Sequence, residues 1–179
     1  MSCSNSPEEK AKDLVSKSMG IDKKKLESIS YYHIKVIGGA LDGKEFSTPV
    51  YAQGGIDTRK VEGKEGSTIS FMDTPQGYSN FRIIWNGNEA TPLTSKTNPF
   101  GTNSYIELKL KVDDEKYSFI SENGAYKIKS RKERTLTHGT GEKYTAIDVE
   151  AEFDGEFVEA TSGEKVKIKG LVRGINPEN

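Results

Sequence analysis

The sequence predicts an all-β protein: an antiparallel β-sandwich, with a meandering β-barrel as the alternative, preceded by a short N-terminal helix. Three observations carry this expectation. From Tyr31 onward apolar residues recur with a period of two. Turn signals at Asp42–Gly43, Asp113–Asp114, Asn123–Gly124 and Ser162–Gly163 punctuate the alternating runs. No helical patterns alternate with the strands, which argues against a βαβ architecture. A length of 179 residues suits one domain with an appendage.

The appendage comes first. Residues 1–30 form a leader, and residues 31–179 the single β domain. None of the 16 aromatic residues (eight Tyr, seven Phe, one Trp) precedes Tyr31. Within the leader, Ser6 is placed as an N-cap, Pro7 at the first helical position, and Glu8 and Glu9 in the first turn. Ser6 and Glu9 have the spacing of a capping box. Ala11, Leu14, Val15 and Met19 follow at helical spacing, and Gly20 is placed to end the helix. So narrow a stripe makes a marginal helix unless it docks on a neighbour. Lys23, Lys24 and Lys25 continue as a linker or a second short helical turn.

The β domain opens with Tyr32, Ile34 and Val36 on one face of a first strand. Asp42–Gly43 then turns the chain into a short strand around Lys44–Phe46. Residues 52–66 are rich in Gly and charge and read mainly as loop. Strands follow at Thr68–Met72 and Tyr78–Trp85, and a long irregular connection is expected from Gly87 to Asn103. Ile106, Leu108, Leu110 and Val112, alternating with Glu107, Lys109 and Lys111, give the clearest half-buried strand. Asp113–Asp114 turns into Lys116–Ile120, and Asn123–Gly124 into Ala125–Lys129. The last pair sets Ile147, Val149, Ala151 and Phe153 against Val166 and Ile168.

Charge is nearly balanced, with 26 Lys plus Arg against 27 Asp plus Glu. That balance gives no global reason to bind nucleic acid. A lone Cys excludes an intrachain disulfide framework and every multi-cysteine metal or redox motif. No apolar run is long enough for a membrane-spanning helix. Nothing matches a P-loop, a dinucleotide fingerprint, a zincin or a nucleophile elbow, and no cofactor or metal site is expected. His33 and His138 have no ligand spacing around them.

The remaining candidates are binding surfaces and carboxylates. Tyr78, Trp85, Phe100 and Tyr105 flank the long connection and could form an aromatic platform for a carbohydrate. Asp57, Asp73, Asp113, Asp114 and Glu115 stand out as carboxylates for a glycan-active enzyme, although the two Asp at the turn have a backbone role of their own. Lys127, Lys129, Arg131, Lys132 and Arg134 form a basic run. On a regular strand Lys127, Lys129 and Arg131 would share a face, and the following acidic strand can neutralise them across the sheet.

Two segments carry a resemblance. MSCSNS, with Cys3 followed by Ser4, Asn5 and Ser6, resembles the start of a mature bacterial lipoprotein; Met1 and Ser2 stand where the apolar signal and its lipobox would be. Val149–Gly174 is similar to the closing hairpin of small β-rich lipoproteins of Bacteroidetes, through Phe153, Gly155, Phe157, Ser162–Glu164, Val166, Ile168 and Gly170. The resemblance implies lipidation of Cys3 and a location in the cell envelope, facing the periplasm or the cell surface; a cytoplasmic protein is the alternative. It implies no catalytic residues. The expected function is that of a non-enzymatic envelope domain with a binding or structural role. Its partners would be membrane lipid through Cys3 and a glycan or envelope protein, with nucleic acid not among them. A carbohydrate-binding module and a carboxylate-based enzyme are the alternatives.

Overall fold

The computed structural model describes residues 6–48, 52–61, 64–73, 80–85, 90–95 and 105–175; within 52–92 the backbone course and strand pairing are described. The all-β antiparallel class with one short N-terminal helix is what forms. Helix α1 spans Pro7–Met19 and is followed by a 3-10 turn, Lys23–Ser28. The strands are β1 (Tyr31–Ile37), β2 (Glu45–Ser47), β3 (Ala52–Val61), β4 (Lys64–Asp73), β5 (Asn80–Trp85) and β6 (Ala90–Pro92). They continue with β7 (Tyr105–Val112), β8 (Glu115–Thr137), β9 (Lys143–Glu159) and β10 (Lys165–Gly174).

All of them join one sheet in the order β2-β1-β10-β9-β8-β7-β5-β4-β3, with β6 beside β8. The sheet curls into a half-barrel, carrying β3 across to β9 and β10. Two walls of one sheet therefore face each other over the core. Tyr32, Ile34, Val36, Leu108, Phe119, Tyr126, Phe153, Phe157 and Val172 fill that interior. Each buried apolar side chain of this size contributes about 1.5–3 kcal/mol relative to exposure.

The structure alters several local expectations. Residues 52–66 are mostly strand: β3 pairs with β4 from Ala52↔Asp73 to Val61↔Lys64. Its Gly and charged residues suit an edge, where β3 ends the sheet. The long connection from Gly87 contains β6, and Leu93 just beyond it is buried. Asp42–Gly43 does reverse the chain, but through a longer loop with a 3-10 turn at Gly39–Leu41 and Gly43 at φ 75°. Asn123–Gly124 makes no hairpin. β8 runs straight through it, and a register shift lies between Ser121 and Asn123. Asp113 and Asp114, by contrast, form the expected turn, both with positive φ (51° and 68°), as a two-residue hairpin loop requires.

Gly124 has φ 123° and pairs with Gly155 on β9. At Gly155 an added Cβ would lie 2.5 Å from the carbonyl oxygen of Asn123. Backbone occupies that space and cannot yield as a side chain would, so the strands meet closely only because both residues lack a Cβ. A second shift lies between Ile128 and Ser130. It splits the basic run: Lys127 sits opposite Glu152 in the outer row, whereas Arg131 sits opposite Val149 in the inner one. The expectation that these cations share a face fails because a bulge changes the parity of the strand.

Gly155→Ala is expected to lower unfolding free energy by about 1–3 kcal/mol in urea titrations, the range for overpacking. Gly139→Ala, whose Cβ meets nothing within 4 Å, is expected to stay within about 0.5 kcal/mol of the parent.

A polar cleft beneath the N-terminal helix

Helix α1 forms as its caps dictate. The Ser6 hydroxyl accepts the Glu9 N–H at 3.2 Å, and Gly20 ends the helix in the left-handed region at φ 64°. The amides of Gly20 and Ile21 return to the carbonyls of Lys17 and Ser16. Asp22 then accepts the Lys24 N–H at 2.8 Å and starts the 3-10 turn. Both pieces dock on the sheet. Ala11 and Val15 of α1 and Leu26 of the turn form a second core with Tyr31 of β1 and Leu171 of β10. The narrow apolar stripe thus has its neighbour, and of the two expectations for Lys23–Lys25, a linker or a second short helical turn, the helical turn forms and is fastened at Leu26, which is 2% exposed.

Beneath this lid runs one cross-strand row. Tyr31 pairs with Arg173, Arg173 with Glu150, and Glu150 with Ser130, so four strands present these residues on the face away from the main core. Lid and row enclose a cleft of about 570 Å³. Glu9 and Lys12 of α1 line it together with Asp22, Lys23, Lys24, Leu26 and Glu27.

Glu150 anchors the floor and is only 6% exposed. It accepts the Tyr31 hydroxyl at 3.0 Å and Arg173 Nη1 at 3.4 Å, and Lys12 Nζ lies 3.6 Å away. Arg173 Nη2 donates to the Glu27 carbonyl at 2.9 Å, while its buried Nε has no acceptor among the described residues. Burial, reinforced by the Glu150 charge, pushes the Tyr31 hydroxyl far above the ordinary phenol range, so it stays a donor. Burial works against the charge on Lys12, but its bond to Glu8 at 2.8 Å and the charge of Glu150 more than restore it.

Among the described residues, the other two buried carboxylates are also engaged. Asp148 holds Arg134 by a fork at 2.7 and 2.9 Å. Glu159 accepts the amides of Ser118, Thr161 and Ser162, together with the Ser162 hydroxyl. These hydrogen bonds outweigh the desolvation of Glu159 and hold its carboxyl below the usual range. Among the described residues, no three His, Cys, Asp or Glu side chains gather as metal ligands.

Of the four platform aromatics, the described residues include Tyr105 and the backbone of Trp85. Tyr78 and Phe100 lie outside them, as does Cys3. Trp85 is placed by its backbone in β5, opposite Ser67. Tyr105 is 2% exposed, a core residue whose ring offers no open face. Of the carboxylates, Asp57 pairs in register with Thr68 and Asp73 with Ala52. Asp114 binds Lys111 at 2.8 Å, and Glu115 accepts the Tyr117 hydroxyl. The sequence reading missed Tyr31, Glu150 and Arg173 as one group. Their only local signal is a charged or aromatic residue on the outer phase of three separate strands.

Comparison with family models, with curated proteins and with solved structures found no match to this chain.

His33 forms a second, smaller polar group at the β1–β2 edge. Its Nδ1 lies 2.7 Å from the Ser47 hydroxyl, and its Nε2 3.6 Å from Glu45. Burial lowers its pKa despite Glu45, so the fold favours neutral imidazole. The associated stability is complete above the ordinary histidine pKa of about 6.5 and is lost as pH falls through the depressed folded value. Histidine NMR titration is expected to place His33 below the ordinary histidine value of about 6.5, with amide exchange in β2 rising under the same acidic conditions.

Glu150→Ala would leave the buried Tyr31 hydroxyl and Arg173 without their shared acceptor. A loss of about 2–4 kcal/mol is expected in denaturant titrations, since one partner of a buried pair is removed.

Proposed function

We propose that this chain is a non-enzymatic cell-envelope domain with a binding role, tethered through lipid on Cys3, with the cleft beneath α1 as its binding site. The observation that carries the binding role is the cleft itself. It has the volume of a small-ligand site, and residues of the leader and of four strands line it. The engagement of Asp148, Glu150 and Glu159 by internal donors supports binding over acid–base chemistry, which needs a carboxylate with a raised pKa and a free face.

The leader supports the tether. Only Ser4, Asn5 and Ser6 separate Cys3 from Pro7, and α1 is docked on the sheet. A lipid on Cys3 would hold the whole domain close to a bilayer, and its strength would follow the number of chains attached. The likeness of the N-terminal segment and the closing hairpin to small Bacteroidetes lipoproteins favours the same reading.

Expression of the complete gene with labelled palmitate, beside Cys3→Ala, tests the tether. Label in the membrane fraction is expected for the parent and none for the variant. Equal labelling of the two would refute attachment at Cys3.

A further inference from the structure

We propose that the cleft beneath α1 takes a small anion, with a carboxylate or phosphate group seated on Arg173 and flanked by Lys12 and Lys24. This rests on the reading of the cleft as a binding site and names its ligand class.

The floor of the cleft retains hydrogen-bonding capacity that the fold does not use. Glu150 is occupied, with the Tyr31 hydroxyl, Arg173 and Lys12 all directed at it. What remains is donor capacity. Arg173 Nε is buried without an acceptor among the described residues, in a class of atom that is nearly always satisfied in native proteins. The contacts of Arg173 and Lys12 to Glu150, at 3.4 and 3.6 Å, are longer than the 2.7–2.9 Å of a well-formed charge-assisted hydrogen bond. Arg173 keeps its 2.9 Å bond to the Glu27 carbonyl and Lys12 its 2.8 Å bond to Glu8, so the long contacts to Glu150 are the ones each cation can exchange for a better acceptor. A guanidinium fork matches the paired oxygens of a carboxylate or phosphate. Reorientation of the side chain toward such a group would give Nε the acceptor it lacks.

The rim restricts the anion's size. Glu9, Asp22 and Glu27 line the cleft together with Lys23 and Lys24, and Lys23 holds Glu9 at 2.6 Å. An extended polyanion would meet these carboxylates, whereas a compact anion passes between them. Leu26 supplies an apolar wall for a short carbon skeleton. A free metabolite and a lipid headgroup both present this chemistry, so the test must separate them.

The experiment is an NMR titration of the 15N-labelled full chain, following the Nε–Hε signal of Arg173 and the methyl signals of Leu26. The probes are inorganic phosphate, succinate, and vesicles of phosphatidylglycerol set against phosphatidylcholine. A saturable shift at Arg173 is expected with a soluble anion, or with phosphatidylglycerol vesicles alone if the source is a headgroup. Arg173→Lys is expected to weaken binding about tenfold or more, as for a lost charge-assisted bond. Lys24→Gln is expected to weaken it about threefold, as for a rim charge. Lys24 is exposed, so its variant keeps the test valid if Arg173→Lys fails to fold. An unmoved Arg173 signal with all anionic probes at millimolar concentration would overturn the proposal. If ethanolamine or glucose then shifts Leu26, the cleft remains a binding site for another ligand class; if neither does, the binding reading falls with it.

Discussion

The structure depends on the pairing of β8 with β9. Their ladder runs from Phe119↔Glu159 to Thr137↔Lys143, and nearly everything else is attached to it. β7 joins the first part of β8, β6 its middle, and β10 the outer side of β9. β1 is placed by β10, and α1 lies over the row these strands create. The register shift at Ile128/Ser130 fixes what that row contains. Without it Lys129 would stand opposite Glu150. The shift puts neutral Ser130 there, and Lys129 reaches Glu152 instead, at 3.5 Å. One extra residue in one strand thus decides the chemistry of the cleft floor.

Much of this was legible in the sequence, for physical reasons. The caps of α1 are local hydrogen bonds and need no tertiary context, so Ser6, Pro7 and Gly20 mark its limits. β7, β9 from Ala151 onward and β10 as far as Gly170 bury one face each, and their alternation exposes that fact. The misreadings arose where one residue type serves two purposes. Gly124 follows Asn and resembles a hairpin turn, yet it is needed for close approach to Gly155 within a continuous strand. The Gly54–Gly55 pair and the charges of β3 resemble a loop, yet an edge strand tolerates both. The cleft could not be read at all. Tyr31, Ser130, Glu150 and Arg173 are distant in sequence, and only strand register makes them neighbours.

The overall charge of −1 conceals an organised surface. On the outer face Lys167 binds Asp154 at 3.1 Å, and Lys165 binds both Glu122 and Glu156. Lys35 meets Glu45 across the β1–β2 edge. Such exposed pairs contribute little individually, but they settle which charges face outward and so favour one register over its neighbours. The buried Arg134–Asp148 fork and the Glu150 cluster are different in kind. There the charges are removed from water and must be matched where they lie.

The pairing of β1 with β10 has a consequence for how the molecule assembles. Tyr31 meets Arg173 and Ile37 meets Lys167, so the earliest strand is completed by the latest. While the chain is being made, β1, β2 and the docking surface for α1 lack their partner until β10 has emerged. The intervening hairpins can form from local contacts, but closure must await the far end, and that long loop slows it. A growing chain therefore carries its first strand and helix as an unfinished, thread-like segment. Only the complete chain can draw that segment in.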